Sequence, residues 1–374
     1  MAKSSKIKVG IIGVGNCAKS LVEGVQYYAE HSDATTGVMK TDIGGYLAGD
    51  VEFVIGFDID ERKTGLGLGK ALHQKPNCAW SIVDTIKSNA PVFEAPVIDG
   101  YAGLMDNYPE ENRFLVSEKL RNSTDMNRVS WTNKLERTWK DSIIAELKKR
   151  DVEVLVNYLP VGSQKTTEFW AEICLETGIS FVNCIPVFIA SDPAWEQRFI
   201  DAGIPLIGDD MRSQFGASIL SQMLQELAFE RGHHVKAHIQ RNVGGNTDFL
   251  NMEDKTRLAS KKISKENVIR AQNEIRNIST EDSFLHAGPS EYIHFYGDNK
   301  VANFRLELEG FGGSPVLLDA QLSVQDSPNS AGVVIDAIRY LKVARELGVV
   351  GALRGPSAFT KNSTRPNDVF RRRL

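Results

Sequence analysis

Gly13-Val14-Gly15-Asn16-Cys17-Ala18 stands between an apolar run, Ile7–Ile12, and a helical pattern, Asn16–Glu30. This is a GxGxxG/A turn with alanine in the third place. Gly13 permits the tight turn, Gly15 lets a pyrophosphate approach the backbone, and Ala18 allows close helix–strand packing. The start of the helix offers unpaired N–H groups and a positive dipole end to an anion. The pattern therefore points to a bound dinucleotide. Asp58 ends a second apolar run, Val51–Phe57, where an acid accepts hydrogen bonds from ribose hydroxyls and repels a 2′-phosphate, favouring NAD over NADP. It lies 43 residues after Gly15 rather than roughly 20, and an insertion over Tyr27–Asp50 accounts for the excess. The competing reading makes Asp58 a helix cap ahead of Glu61.

The second half carries polar constellations. In Gly208-Asp209-Asp210-Met211-Arg212-Ser213 the two acids precede a helical pattern and could cap it. The sharper reading gives Asp210 a metal or lysine partner, and Ser213 with the following N–H groups a substrate phosphate. Asn242-Val243-Gly244-Gly245-Asn246-Thr247-Asp248 gathers more glycine and amide groups than a plain turn needs, which suggests contacts to a ligand. In Ser260-Lys261-Lys262-Ile263-Ser264-Lys265, Ser264 can cap a helix over Lys265–Arg276. Lysines there oppose the dipole by about a few tenths of a kcal/mol each, unless an anionic substrate reverses the sign. Lys300 sits in a turn at a strand start, and Lys361 near the C-terminus is no more informative alone. His234 and His238 have i,i+4 spacing, but Val235, Ala237 and Ile239 alternate as in a strand, and no carboxylate motif accompanies them. No GxSxG, HExxH or Cys–His signature supports a serine hydrolase or a zincin.

These residues need a scaffold. From Lys6 to about Asp210, apolar strands (Ile7–Ile12, Val51–Phe57, Val152–Leu159, Ile179–Ile185, Ile204–Ile207) alternate with helical patterns (Asn16–Glu30, Trp139–Arg150, Gln164–Thr177, Asp192–Ala202). That grammar means a parallel sheet covered on both faces. The polar stretch Pro109–Thr138 reads as a surface excursion. Ser213 is placed to cap a long helix, Gln214–Arg231, stopped by Gly232. Phe304, Leu306 and Leu308, then Leu318, Ala320, Leu322 and Val324, alternate with polar residues as half-buried antiparallel strands do. Ser327-Pro328 opens a last helix to about Leu347, whose apolar residues could cover the first sheet. The expected fold is α/β, a Rossmann-type doubly wound parallel sheet with a second α+β catalytic and oligomerisation domain inserted. The NAD-binding part would be 1–212 plus 327–374, and the inserted part 213–326.

The chain has 374 residues, 44 basic and 48 acidic side chains and a net charge of −4. The balance gives no global attraction to nucleic acid or an anionic membrane. Four scattered cysteines without a CxxC suggest reduced thiols and a cytoplasmic protein. No apolar run approaches roughly 18 residues. The glycine-broken run Val9–Val14 reads as a buried strand rather than a signal peptide. Arg371–Arg373 reads as a solvated tail.

Taken in order, VGIIGVGNCAKSLVEGVQYY, VIGFDID, VNYLPVGS, FVNCIPVFIASDP, GDDMRSQFGAS, NVGGNTDFLNM, SKKISK, GDNKVA and DSPNSAGVVIDAIR resemble the bacterial and archaeal myo-inositol-1-phosphate synthases from residue 9 to about 340. The resemblance implies a cytosolic homotetramer with NAD, a discontinuous NAD domain, and conversion of D-glucose 6-phosphate to 1L-myo-inositol 1-phosphate. It implies oxidation at C5 by NAD, loss of the C6 proton, aldol closure on the C1 aldehyde, and return of the hydride. NAD would fall on Gly13, Gly15, Asn16, Cys17, Asp58, Leu159, Pro160 and Asp326. The active-site lysines would be Lys261, Lys265, Lys300 and Lys361, the last in a tail that matches poorly. Catalytic or metal-linked acids would be Asp210 and Asp248, with Asp210 the candidate for a divalent cation. Ser213 and Asn246 would hold substrate phosphate. Arg212 stands where relatives often have lysine, which keeps the charge but loses a proton carrier. Two other readings remain, an NAD-dependent sugar-phosphate dehydrogenase and a non-catalytic NAD-sensing protein.

Overall fold

The computed structural model describes residues 6–121, 138–257, 284–353 and residue 355. Its first layer begins with β1 (Ile7–Ile12), whose apolar residues are fully buried, followed by α1 (Asn16–Glu30), β2 (Val51–Asp58) and β3 (Val92–Glu94). Then come α2 (Trp139–Lys149), β4 (Val154–Asn157), α3 (Gln164–Thr177), β5 (Ser180–Asn183), α4 (Pro193–Asp201) and β6 (Pro205–Ile207). The helix starts are written locally for two of the three. Thr138 accepts from the Asp141 N–H at the head of α2, and Asp192 accepts from Ala194 and Trp195 ahead of Pro193. For α3 the cap comes from far away: Asp99 accepts from the Lys165 and Thr166 N–H groups.

The inserted segment follows with α5 (Ala217–Glu230), β7 (His234–Gly244), β8 (Phe284–Tyr292), β9 (Asn299–Glu309) and β10 (Pro315–Gln325). The described chain closes with α6 (Asp326–Glu346) and the two-residue β11 (Gly351–Ala352). The large sheet is parallel throughout, in the order β11-β6-β5-β4-β1-β2-β3. Without the short edge strand β11 this is the doubly wound order of a dinucleotide fold, with its switch point between β1 and β4. One face buries Ile7, Val9 and Ile11 under α1 and α6, the latter giving Val333, Val334, Ala337, Ile338 and Leu341. The other buries Ile12, Ile55 and Phe57 under Ile143, Leu147, Trp170 and Phe199 of α2, α3 and α4.

The second sheet runs β8-β7-β9-β10. The alternating segments pair antiparallel as expected, with Phe304 opposite Ala320 and Leu306 opposite Leu318, while β7 and β8 are parallel. Ala217 of α5 packs on Ala302, Phe304 and Leu306. Among the described residues no helix is long and apolar enough to cross a membrane.

Several expectations are corrected. Ser213 does not cap α5, which starts at Ala217 with Gly216 before it and no side-chain cap. The N–H groups of Gln214 and Phe215 are taken instead by the Asn329 backbone and side-chain oxygens. β4 is shorter than Val152–Leu159, because Val152 N–H goes to the Leu147 carbonyl and Leu159 N–H to Asn157 Oδ1. α6 begins at Asp326, just ahead of Ser327-Pro328. The insertion is 31–50, since α1 runs to Glu30. It carries a small hairpin, and Arg339 of α6 pins it by donating to the carbonyls of Lys40, Thr41 and Tyr46.

Candidate active site

A cleft of about 250 Å³ opens where the carboxyl ends of the parallel strands meet the second sheet. Its walls hold every described residue to which the family resemblance gave a cofactor, substrate or catalytic role. Gly13, Gly15, Asn16, Cys17 and Asp58 come from the ends of β1 and β2, and Leu159 and Pro160 from the end of β4. Asp210 and Ser213 follow β6, Asn246 and Asp248 follow β7, Lys300 lies on β9, and Asp326 opens α6. Lys261, Lys265, Lys361 and the helix expected over 265–276 lie outside the described residues.

At the turn, Gly13 has φ +87°, and a Cβ there would stand 2.7 Å from the Tyr158 carbonyl oxygen. At Gly15 a Cβ would meet no described atom within 4 Å, and no side chain caps α1. The first turn therefore opens its backbone to the cleft, as a pyrophosphate requires. Ala18 is fully buried, as the third position needs. Asp58 also has a structural task. Its Oδ2 accepts from Val14 N–H at 2.7 Å and its Oδ1 from Ile59 and Asp60, so it ties the turn to β2. The Tyr158 hydroxyl is buried on the cleft wall with no hydrogen-bond partner among the described residues, and burial pushes its pKa well up. These features fit a dinucleotide.

A strap over residues 77–81, which the sequence analysis missed, braces this turn. Asn16 Oδ1 accepts from Cys78 and Ala79 N–H, so its side chain serves the strap rather than pointing free. Lys63, wholly buried, donates to the Val14 carbonyl and Asn77 Oδ1, 4.0 Å from Asp58. Nothing in the local spacing marks Lys63, because its partners lie in separate segments. Burial, then the charges of Asp298 and Asp326, push the Cys17 thiol up to about 12, so it is not a thiolate nucleophile.

Two adjacent acids take opposite directions. Asp209 is buried and accepts from Asn183 Nδ2, from Ile189, Ala190 and Ser191 N–H, and from the Ser191 hydroxyl. It shapes the turn after β5, whose Ile185 and Pro186 line the cleft. Asp210, at φ +55°, lines the cleft itself. Neither caps α5. Arg212 is not on the cleft wall; it is buried beneath α5, donating to Gln222, and burial lowers its guanidinium to about 10 against the pull of Asp210.

Across the cleft, Asn246 caps the short helix Thr247–Asn251 and so aims Asp248. Lys300 and Asp326 form an ion pair with side chains 17% and 21% exposed. Asp298, buried beneath them, was missed because in sequence it is one polar residue of a turn. His238 does not bind a metal with His234: its ring is taken by Ser221 and Gln225, and burial lowers its pKa to about 4. Among the described residues no group of three or more His, Cys, Asp or Glu side chains could hold a metal ion.

A family model described as myo-inositol-1-phosphate synthase matches residues 216–327. An inositol-3-phosphate synthase from Corynebacterium glutamicum is 41% identical over 99% of this chain and 98% of its own length. One from Mycobacterium tuberculosis is 40% identical over 99% and 95%. Among solved structures, Ari2 superposes with a TM-score of 0.73 at 28% identity, covering 96% of this chain and 92% of that one. A myo-inositol-1-phosphate synthase-related protein from Thermotoga maritima gives a TM-score of 0.74 at 24% identity over 95% and 91%, a likeness of fold.

Proposed function

The chain belongs to the myo-inositol-1-phosphate synthase family, and from that premise we propose the chemistry of its cleft. It is an inositol-3-phosphate synthase, an isomerase that cyclises D-glucose 6-phosphate to 1L-myo-inositol 1-phosphate. One observation carries the assignment of the site: a single cleft joins the glycine turn and Asp58 to Lys300, Asp326, Asp210 and Asp248.

We place NAD on Gly13, Gly15, Asn16, Cys17, Asp58, Leu159 and Pro160, with Asp326 at its inner end. Bound there, it supplies a reversible hydride acceptor, so that the isomerisation needs no net oxidant. The protein's own groups do the rest. Oxyanions develop at carbonyl oxygens of the substrate, and the substrate carries a phosphate. Lys300, held by Asp326, meets the developing charge as an ammonium group, and Lys261 does so from the segment before it. Ser213 and Asn246, with Lys265 and Lys361, hold phosphate or hydroxyls. Asp210 and Asp248 accept hydrogen bonds from substrate hydroxyls or position those lysines. Among the described residues no group of three or more His, Cys, Asp or Glu side chains forms a metal site. We divide the chain into an NAD-binding part, 1–212 with 327–374, and a catalytic part, 213–326, the latter carrying the contacts of a homotetramer.

Incubating the purified protein with glucose 6-phosphate and NAD tests this reading. The expected product is a periodate-sensitive inositol phosphate without net NADH. Steady NADH release would instead identify a sugar-phosphate dehydrogenase, and NAD binding without turnover an NAD-sensing protein.

A further inference from the structure

Asp298 lies in the Gly297-Asp298-Asn299-Lys300 turn, 2% exposed, at the meeting point of three cleft-building segments. Its Oδ1 accepts from the Ser327 hydroxyl at 2.8 Å and from Asn246 Nδ2 at 3.1 Å. Its Oδ2 accepts from the Ser327 N–H at 3.0 Å, and its own carbonyl from the Asp326 N–H at 2.9 Å. The Ser327 hydroxyl in turn lies 3.8 Å from Cys17 Sγ, on the first turn of α1. One carboxylate thus holds the first turn of α6, which carries Asp326, and the cap of the helix that carries Asp248. It reaches the nucleotide turn through Ser327.

Such a group is costly to keep. Burial pushes the Asp298 carboxyl up to about 6, the nearby Asp326 adds to the push, and the bonds from Ser327 and Asn246 oppose it. An apolar joint would hold the fold without that cost. What a carboxylate adds is direction. It accepts three donors from two other segments, and it does so two residues from Lys300, whose ammonium pairs with Asp326.

We propose that Asp298 is a positioning residue for the reaction, fixing Asn246, Ser327 and the Lys300–Asp326 pair in one frame against the nucleotide turn. The inference rests on the synthase reading of this cleft. It requires Asp298 to act on turnover through the residues it holds, without touching substrate or cofactor. Displacing a reacting group by about an ångström costs on the order of 100-fold in rate.

The test uses Asp298→Asn and Asp298→Ala in the full-length protein, with kcat and KM for glucose 6-phosphate, NAD affinity and Tm measured for each. Asp298→Asn keeps the shape and one acceptor, so kcat should fall roughly tenfold. Asp298→Ala removes every side-chain bond, and kcat should fall about 100-fold or more. KM and NAD affinity should stay within about threefold in both. A graded loss in kcat, partly rescued by the isosteric amide, is not what a purely structural joint gives. If kcat in both folded variants stays within about twofold of the parent while only Tm falls, the inference is wrong. Activity fully recovered by saturating NAD would also overturn it, by assigning Asp298 to cofactor affinity. Should neither variant fold, Ser327→Ala carries the same test, because it removes the hydroxyl donor and leaves the backbone bond. Its kcat should fall about tenfold, and an unchanged kcat would refute the frame. A parent protein that makes no inositol phosphate would sink the synthase reading itself, a result distinct from an active parent with unaffected variants.

Discussion

At the residue scale, two glycines of one turn are required for different reasons. Gly13 is conformational: its φ of +87° and the Tyr158 carbonyl 2.7 Å from any Cβ exclude a side chain whether or not a ligand is bound. Gly13→Ala should therefore cost about 1–3 kcal/mol of stability as well as cofactor affinity, seen as a lower Tm without NAD. A Cβ at Gly15 would meet no described atom within 4 Å, so Gly15→Ala should leave the ligand-free Tm nearly unchanged and weaken NAD at least about tenfold. Equal losses of ligand-free stability in both variants would refute the distinction. On the opposite wall, Lys300→Ala should cost roughly 10²–10³ in kcat and little NAD affinity. Lys261→Ala should behave alike. A solvated lysine would change stability by under about 0.5 kcal/mol and leave turnover intact, so near-normal kcat would remove either residue from the site.

At the element scale, α5 shows how a helix can be placed by partners far away in the chain. Its approach is held by Asn329, which accepts from Phe215 N–H and donates to the Phe215 carbonyl, while Ser213 caps nothing. Asn329→Ala should cost about 1 kcal/mol. Ser213→Ala should cost less than about 0.5 kcal/mol of stability while weakening substrate binding. The helix is then fixed to β7 by the buried bonds of His238 to Ser221 and Gln225. Burial lowers the His238 pKa from 6.5 to about 4, so the folded state keeps the ring neutral where the unfolded chain would protonate it. Stability from this group is complete above pH 6.5 and is lost as pH falls toward about 4, by an amount on the order of 3 kcal/mol. Thermal melts between pH 7.5 and 4.5 should show this slope in the parent protein. His238→Gln should flatten it, and an unchanged slope would mean that other groups govern acid lability.

At the scale of the whole molecule, α6 joins the two halves. Its N-terminus lies in the cleft, and its middle is core for the parallel sheet, with Val334, Ala337, Ile338 and Leu341 wholly buried. A fragment of residues 1–212 lacks that layer and exposes the face that carries Val9 and Ile11, so it should not melt cooperatively or bind NAD. A fragment that did both would show that α6 is dispensable to the nucleotide half. Arg339, fully buried, pairs with Asp336 and with three carbonyls of the 31–50 insertion. Arg339→Met would strand the Asp336 charge and should cost about 3–5 kcal/mol, read as a fall in Tm.

Periodicity and turn chemistry alone determined the strand–helix alternation, the glycine turn, Asp58 and the antiparallel pairing of Phe304–Leu308 with Leu318–Leu322, because those signals lie within a few neighbouring residues. The family resemblance singled out Asp248, Lys300 and Asp326, and the GDD reading singled out Asp210. What the sequence left undecided depends on contacts between distant segments. Lys63 under Val14, the 77–81 strap on Asn16, Asp99 at the head of α3 and Asn329 ahead of α5 all join residues tens to more than a hundred positions apart. Of the two acids of GDD the sequence reading favoured Asp210 and gave Asp209 no task of its own. Only the fold sent Asp209 into a ring of buried donors and Asp210 to the cleft. Asp298 reads in sequence as one polar residue of a turn, and it became the centre of a frame because Asn246 and Ser327 converge on it from other elements. Burial and the direction of a hydrogen bond are properties of a packed assembly, so tertiary structure decided them.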